Sequence, residues 1–232
     1  MTIINTIYKL TDADGRTFGG TQWDKGVEHR ASGEGDLCGP GWLHVYEHPL
    51  LAVLHNPIHG NFQPDTMRLW EAETEDENPL RDGYLKLGVR HLRTVREIPV
   101  PVVTTEQCVR YGILCAMEVY NDPRWVAWAE GWLSGKDRSA AAAAAATAWA
   151  AAAAAAETLP WAVAAVRAVE AAAEMAERAE GLSANSRVRA VRAAAAAAKM
   201  AARAAQEAWA ATVRAELDLP RLAKQAVGED KS

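Results

Sequence analysis

Four of the six histidines in this 232-residue chain fall within one stretch, LCGPGWLHVYEHPLLAVLHNPIHGNF, residues Leu37–Phe62. Gly39-Pro40-Gly41 marks a turn, and Trp42–Tyr46 then alternates as a strand. That alternation predicts Trp42, His44 and Tyr46 on one face. Two aromatic rings and one titratable donor side by side suit stacking on a planar ligand better than bond-making. Such stacking is worth about 1–3 kcal/mol per base. Further along, Lys86, Arg90, His91, Arg93 and Arg96 form a local basic patch. A patch of this kind either neutralises an acidic strand across a sheet or holds phosphate oxygens.

Other spacings also bear on chemistry. His44/His48 and His55/His59 are each four apart, which on a continuous helix suits a metal. The first pair begins on the expected strand and Pro57 divides the second, so no metal site is expected. Glu71 and Glu73 project from one face of a strand, where paired carboxylates can do acid–base work. The acidic run continuing through Glu75, Asp76 and Glu77 favours a solvated edge instead. Gly19-Gly20 lacks the spacing of a phosphate loop. No catalytic residue and no cofactor is expected.

These residues have to be held by elements. Ile3–Leu10 alternates and Thr11-Asp12-Ala13-Asp14-Gly15 signals a turn, which predicts a hairpin with Arg16-Thr17-Phe18. Thr21–Asp36 reads as a surface connection. Pro49 suits the first position of a short helix over Leu50–Leu54, closed by Asn56-Pro57. Thr66–Glu73, Tyr84–Val89 and Leu92–Ile98 read as strands, and Pro99 and Pro101 end the sheet. From Thr104 the period changes from two to about 3.6. Thr104 and Gln107 form a capping box for a helix to about Tyr120, and Asp122-Pro123 caps a second carrying Trp125, Trp128 and Trp132 on one face. Alanine-rich helices follow over residues 138–156, 160–181 and 187–216, and Pro220 opens a last one ending at Gly228. Thr147 and Thr158 share the eleven-residue spacing of helical ice-binding peptides, but one pair interrupted by Trp149 fits a bundle better. The expected fold class is α+β: a small, mostly antiparallel sheet domain (1–103) followed by an alanine-rich, all-α helical bundle (104–232).

Composition narrows the partners. Residues 1–104 carry ten Lys/Arg against fifteen Asp/Glu, and residues 105–232 carry fifteen of each. Neither half has the positive excess that backbone binding needs, so no nucleic acid partner is expected. The run Ala140–Ala156 is weakly apolar and bracketed by charge, so no membrane partner is expected either. Three cysteines without CxxC spacing and a non-hydrophobic N-terminus predict a cytoplasmic protein. Cys108 and Cys115, two turns apart, are read as small apolar residues. Alanine-faced helices bury little area each, which predicts homo-oligomerisation through the helical domain.

Residues 6–100 resemble an uncharacterised domain of phage and bacterial genomes. The likeness rests on Tyr8-Lys9, Gly20-Thr21-Gln22-Trp23, Cys38 with Gly41 and His44, Glu47-His48-Pro49-Leu50, and Leu92–Ile98. In that family an alanine-rich tail often follows. The resemblance implies phage origin, hence host cytoplasm, and its pattern singles out Arg93 and Arg96 as phosphate ligands. A fainter resemblance is to the ADP-ribosyltransferase fold, with Gly41–Tyr46 and Glu71-Ala72-Glu73 as the pieces lining a dinucleotide pocket. Tyr8-Lys9-Leu10 departs from that pattern. The expected function is a non-enzymatic accessory protein that sequesters a small nucleotide-like ligand, such as a host immune signal. Its ligand-binding set is Trp42, His44, Tyr46, Arg93 and Arg96. An ADP-ribosyltransferase-like enzyme and a purely structural interaction module are the alternatives.

Overall fold

The computed structural model describes residues 5–82, 85–139, 141–146, 148, 192, 196, 200–201 and 218–229. The chain divides into two compact units, Met1–Val102 and Val103–Ser232. Antiparallel sheets and helices together make the class α+β.

In the first unit β1 (Asn5–Thr11), β4 (Arg68–Thr74), β7 (His91–Ile98) and β2 (Glu28–Arg30) form a four-stranded sheet in the order β1-β4-β7-β2. A three-stranded sheet has the order β3-β6-β5, with β3 Leu43–Val45, β6 Lys86–Val89 and β5 Leu80–Asp82. The expected hairpin is not there. Asp12 does make the turn, its carboxylate accepting from the amides of Asp14 and Arg16 at 3.0 and 2.6 Å. But β1 pairs with β4, Asn5 facing Thr74 and Thr11 facing Arg68. Residues beyond the turn form only an isolated bridge, Arg16 with Gln22. The short strand β2 lies where the sequence suggested a surface connection, and β5 lies in a stretch for which no element was expected.

Inward-facing positions of both sheets meet in one cluster: Ile7, Trp23, Val45, Ala72, Leu87, Val89 and Leu92, with Leu43 packed against it. Trp23 and Trp70 are fully buried, each removing roughly 150–250 Å² from water. Their indole N–H groups are satisfied by Thr17 Oγ1 (3.0 Å) and Thr11 Oγ1 (3.2 Å).

Helix α1 (Pro49–His59) runs past the expected stop. His48 caps its start, Nδ1 accepting from the Leu50 amide at 3.2 Å. Pro57 has no N–H to give the Val53 carbonyl, yet the helix continues for another half-turn. The buried Asn56 explains this. Its carbonyl accepts from the amides of Gly60 (3.0 Å) and Asn61 (2.6 Å), and its side chain bonds both the amide and the carbonyl of Phe62. His55 and His59 therefore do share one helix.

In the second unit α2 (Thr105–Val119) opens with the expected capping box, Thr104 and Gln107 bonding reciprocally at 2.8 and 3.2 Å. Gln107 also donates to the Val227 carbonyl of the C-terminal helix (Leu219–Val227), and Arg221 pairs with Glu118 at 2.7 Å. Helix α3 (Pro123–Leu133) buries Trp125, Trp128 and Trp132, the first two with ring centroids 4.8 Å apart. Cys108 and Cys115 are buried, and burial pushes both thiols up, Cys108 to about 12. That is the behaviour of small apolar side chains. Residues 141–146 are helical. The rest of the expected alanine-rich helices, with Thr147 and Thr158, lies almost entirely outside the described residues. Among those described, no helix is long and apolar enough to cross a membrane.

An ion pair between buried Asp76 and the exposed Arg90 ties the connection of the two sheets. Asp76 has a side chain 1% exposed and accepts from Arg90 Nε (3.0 Å) and from the amides of Arg90 (2.9 Å) and Asn78 (3.2 Å). The Arg90 guanidinium holds this carboxyl down at about 2 against an ordinary 3.8. A depressed carboxyl contributes stability that is complete above its unfolded value and lost as pH falls toward 2. Asp76→Ala is expected to lower unfolding free energy by about 1.5–3 kcal/mol at pH 7. In urea titrations between pH 4 and pH 2 the difference from wild type should shrink.

Candidate functional site

Strand alternation decides which face each expected ligand residue takes. On β3, Val45 enters the core with Leu43 beside it, so His44 lies on the outer face of the three-stranded sheet, opposite Gly88 in the β3–β6 register. On β6, Leu87 and Val89 are core residues, which puts Lys86 and Gly88 on the same outer face as His44. The loop before β3 folds over this face. Leu37 and Trp42 lie so close above Gly88 that a Cβ there would come within 2.3 Å of Leu37 Cδ1 and 3.1 Å of Trp42 Cβ. Trp42 Nε1 donates to the Gly35 carbonyl at 3.1 Å, and the His44 ring Nε2 bonds the Leu37 carbonyl. Burial keeps His44 below its ordinary value, the Leu37 carbonyl opposes that, and Lys86 and Lys9 reinforce it.

Tyr46 is placed differently. It is buried, and its hydroxyl meets His59 Nδ1 of α1 at 3.1 Å with the two rings stacked 6.0 Å apart. Burial raises its phenol well above 10. His55 stands edge-on to His59 at 5.7 Å, and burial lowers it to about 4, so it stays neutral in ordinary solution. Tyr46 is thus a core contact of α1 and offers no open ring for stacking.

Arg93 and Arg96 are not brought to the aromatic residues. Ala72 and Leu92 face the core, so their neighbours Glu71, Glu73 and Arg93 face away from it. Across the β4–β7 ladder Arg93 bonds Glu73 at 3.3 Å and Arg96 bonds Glu71 at 2.6 Å. The arginine side chains are 54% and 63% exposed. Of the two readings of the basic patch, these contacts match neutralisation of the acidic strand. Glu71 on β4 and Tyr46 after β3 flank Tyr8 of β1 from either side, and the Glu71 and Glu73 carboxylates are taken by Arg96 and Arg93.

The structure adds residues that pattern reading did not single out. Lys9 and Lys86 are each only 6% exposed. Lys9 Nζ donates to the His44 carbonyl at 2.8 Å and sits 4.9 Å over the Trp23 ring. Lys86 Nζ meets the exposed Cys38 Sγ at 3.4 Å. A signal for Lys9 was available: it shares the inward face of β1 with Ile7, so alternation aims it at the core.

A separate cleft of about 420 Å³ opens at one end of the same unit. The core residues Ile7, Leu87 and Val89 lie at its floor, and Thr6, Thr74, Glu47, Asp76 and Arg81 line it with polar groups. Arg81 Nη1 holds both oxygens of Glu47 at 3.0 and 3.1 Å. Among the described residues no group of His, Cys, Asp or Glu is arranged to hold a metal ion.

No protein-family model matches the chain, and neither a curated protein nor a solved structure matches it. The two resemblances drawn from the sequence gain no support from these comparisons.

Burial, and then the neighbouring Lys86, lower the Lys9 amine from 10.5 to about 7. Between those values the unfolded chain holds a proton that the folded chain has released, so stability rises with pH across that window. Wild-type unfolding free energy is expected to climb from pH 7 to pH 10 relative to Lys9→Met in parallel urea titrations. The substitution should be most favourable at or below pH 7, where a buried ammonium is most costly. Equal pH slopes in the two proteins would show that Lys9 is not buried as an amine.

Proposed function

We propose that this chain is a non-enzymatic binding protein that sequesters a small nucleotide-like ligand in its sheet-containing unit. The observation that supports this reading is the cleft. Its volume of about 420 Å³ falls in the range of small-molecule sites, roughly 300–1,000 Å³. Ile7, Leu87 and Val89 close its floor from the core, and the polar groups of Thr6, Thr74, Glu47, Asp76 and Arg81 suit the hydroxyls, amines and phosphate of such a ligand. Arg81 spends one terminal nitrogen on Glu47, and the other N–H groups of a guanidinium fork match phosphate oxygens. Glu47 supplies an acceptor for ribose hydroxyls or an exocyclic amine. Charges that already neutralise one another serve holding better than proton transfer.

The second unit, in this reading, is an all-α bundle that organises self-assembly. The described helices α2, α3 and the C-terminal helix support it, as does the alanine-rich composition of the remainder. The three cysteines are free thiols, which suits a reducing cytoplasm, that of an infected host if the chain is phage-encoded.

Calorimetry with mono-, di- and cyclic nucleotides tests the binding. At least one is expected to bind, with Arg81→Ala weakening it roughly ten- to a hundredfold, as loss of a charge-assisted hydrogen bond implies, and Arg93→Ala leaving it unchanged. Absence of binding to wild type across the panel would leave a structural interaction module. Assembly is checked by sedimentation of the full chain, where a mass above the 25.0 kDa of one copy is expected at micromolar concentration.

A further inference from the structure

We propose that Cys38 and Lys86 form an oxidative modification site, in which hydrogen peroxide converts the Cys38 thiol to a sulfenic acid and the Lys86 amine captures it as a sulfenamide. Lys86 Nζ lies 3.4 Å from Cys38 Sγ. Reacting atoms held roughly 3–3.5 Å apart are already in a near-attack arrangement. Cys38 is exposed, so an oxidant in solution reaches its sulfur directly. Lys86 is only 6% exposed, and among the described residues its amine has no hydrogen-bond partner besides that sulfur. Asp82 stands opposite Lys86 in the β5–β6 register, yet makes no ion pair with it.

The loop that carries Cys38 is pinned over the outer face of β6. The Gly33 amide donates to the Gly41 carbonyl at 2.8 Å, the Gly39 amide to the Asp36 carbonyl at 2.7 Å, and Trp42 Nε1 to the Gly35 carbonyl at 3.1 Å. The His44 ring holds the Leu37 carbonyl, one residue before the cysteine. These contacts also decide which group meets the oxidised sulfur. A sulfenic acid condenses with a thiol or with a nearby nitrogen. The next amide in the chain, that of Gly39, is committed to Asp36. The other two thiols, Cys108 and Cys115, belong to the second unit, where both are buried. Lys86 is left as the nitrogen aimed at the sulfur.

One peroxide suffices for the chemistry. The Cys38 sulfur attacks the O–O bond, giving the sulfenic acid and water; sulfur loses two electrons and the peroxide gains them. The neutral Lys86 amine then attacks the sulfur. An S–N bond forms, the S–OH bond breaks, and the hydroxyl leaves with one amine proton as water. A small thiol in excess reverses the link, restoring thiol and amine and leaving its own disulfide. The link joins positions 48 residues apart, which constrains the unfolded chain and stabilises the folded one. Leu87 and Val89 reach the cleft from the opposite face of β6, so this site stands or falls separately from ligand binding there.

The full chain is treated with dilute hydrogen peroxide, digested with trypsin and mapped by mass spectrometry. One peptide pair is expected, joined through Cys38 and Lys86, lighter than its parts by two hydrogens and uncleaved after Lys86. Dithiothreitol should restore both peptides. The oxidised chain should show a raised urea midpoint that reduction returns to its starting value. Lys86→Arg keeps the charge but has no free amine. It should abolish the link and raise dimedone labelling of the Cys38 sulfenic acid roughly tenfold, because the intramolecular trap is gone. Recovery of wild-type Cys38 only as sulfinic acid, or only as a disulfide between copies, would overturn the proposal. Equal dimedone labelling of wild type and Lys86→Arg would overturn it as well.

Discussion

Two backbone hydrogen bonds hold the first unit together as one object. The Tyr8 amide donates to the Tyr46 carbonyl at 2.8 Å, and the Tyr46 amide returns the bond to Tyr8 at 2.9 Å. Through this bridge β1, an edge of the four-stranded sheet, also borders β3 of the three-stranded sheet. Everything near the candidate sites follows from that registration. It sets Ile7 beside Val45 in the core, and it brings Lys9 one residue further on to the carbonyl of His44. A slip of one residue would exchange the faces of β1 and drive Tyr8 rather than Ile7 inward.

The strands then sort charge into two kinds. On the outer face of the four-stranded sheet, arginines and glutamates alternate across the β4–β7 ladder and satisfy one another in solvent. Pairs as exposed as these contribute little, typically 0–1 kcal/mol. Beneath the loop over the smaller sheet, Lys86 is nearly buried and meets only the Cys38 sulfur, at 3.4 Å, among the described residues. The first arrangement is an ordinary solvated surface. The second is unfavourable in isolation. Gly88 makes the second arrangement possible, since only a residue without a side chain lets Leu37 and Trp42 close over the sheet.

Local chemistry was legible in the sequence, and long-range pairing was not. The Thr104–Gln107 capping box, the Asp122-Pro123 start and the Gly228 stop all depend on groups a few residues apart, and each stands as read. So do the strands near β4, β6 and β7, whose apolar alternation is strong. The hairpin failed because the turn at Asp12 is real but the partner of β1 lies some sixty residues later. The stop at Pro57 failed because Asn56, a residue that also terminates helices, wraps the end of this one from inside. Strands β2 and β5, three residues each, owe their existence to neighbours rather than to pattern. Arg93 and Arg96 showed the right chemistry in the wrong place, since only the β4–β7 register reveals that Glu73 and Glu71 already hold them.

The brevity of those outer strands has a consequence for how the chain behaves in crowded solution. Exposed sheet edges are templates on which other chains add strands, the first step toward insoluble aggregates. Here the long edge at β1 is taken up by its bridge to β3, and the outer edges at β2 and β5 offer three residues each. Glu28 and Arg30 put opposite charges on one of them, and Arg81 and Asp82 on the other. A neighbouring chain would find few consecutive backbone groups to pair with and charged side chains in the way. Copies that meet through their sheets are thereby discouraged from growing into fibres.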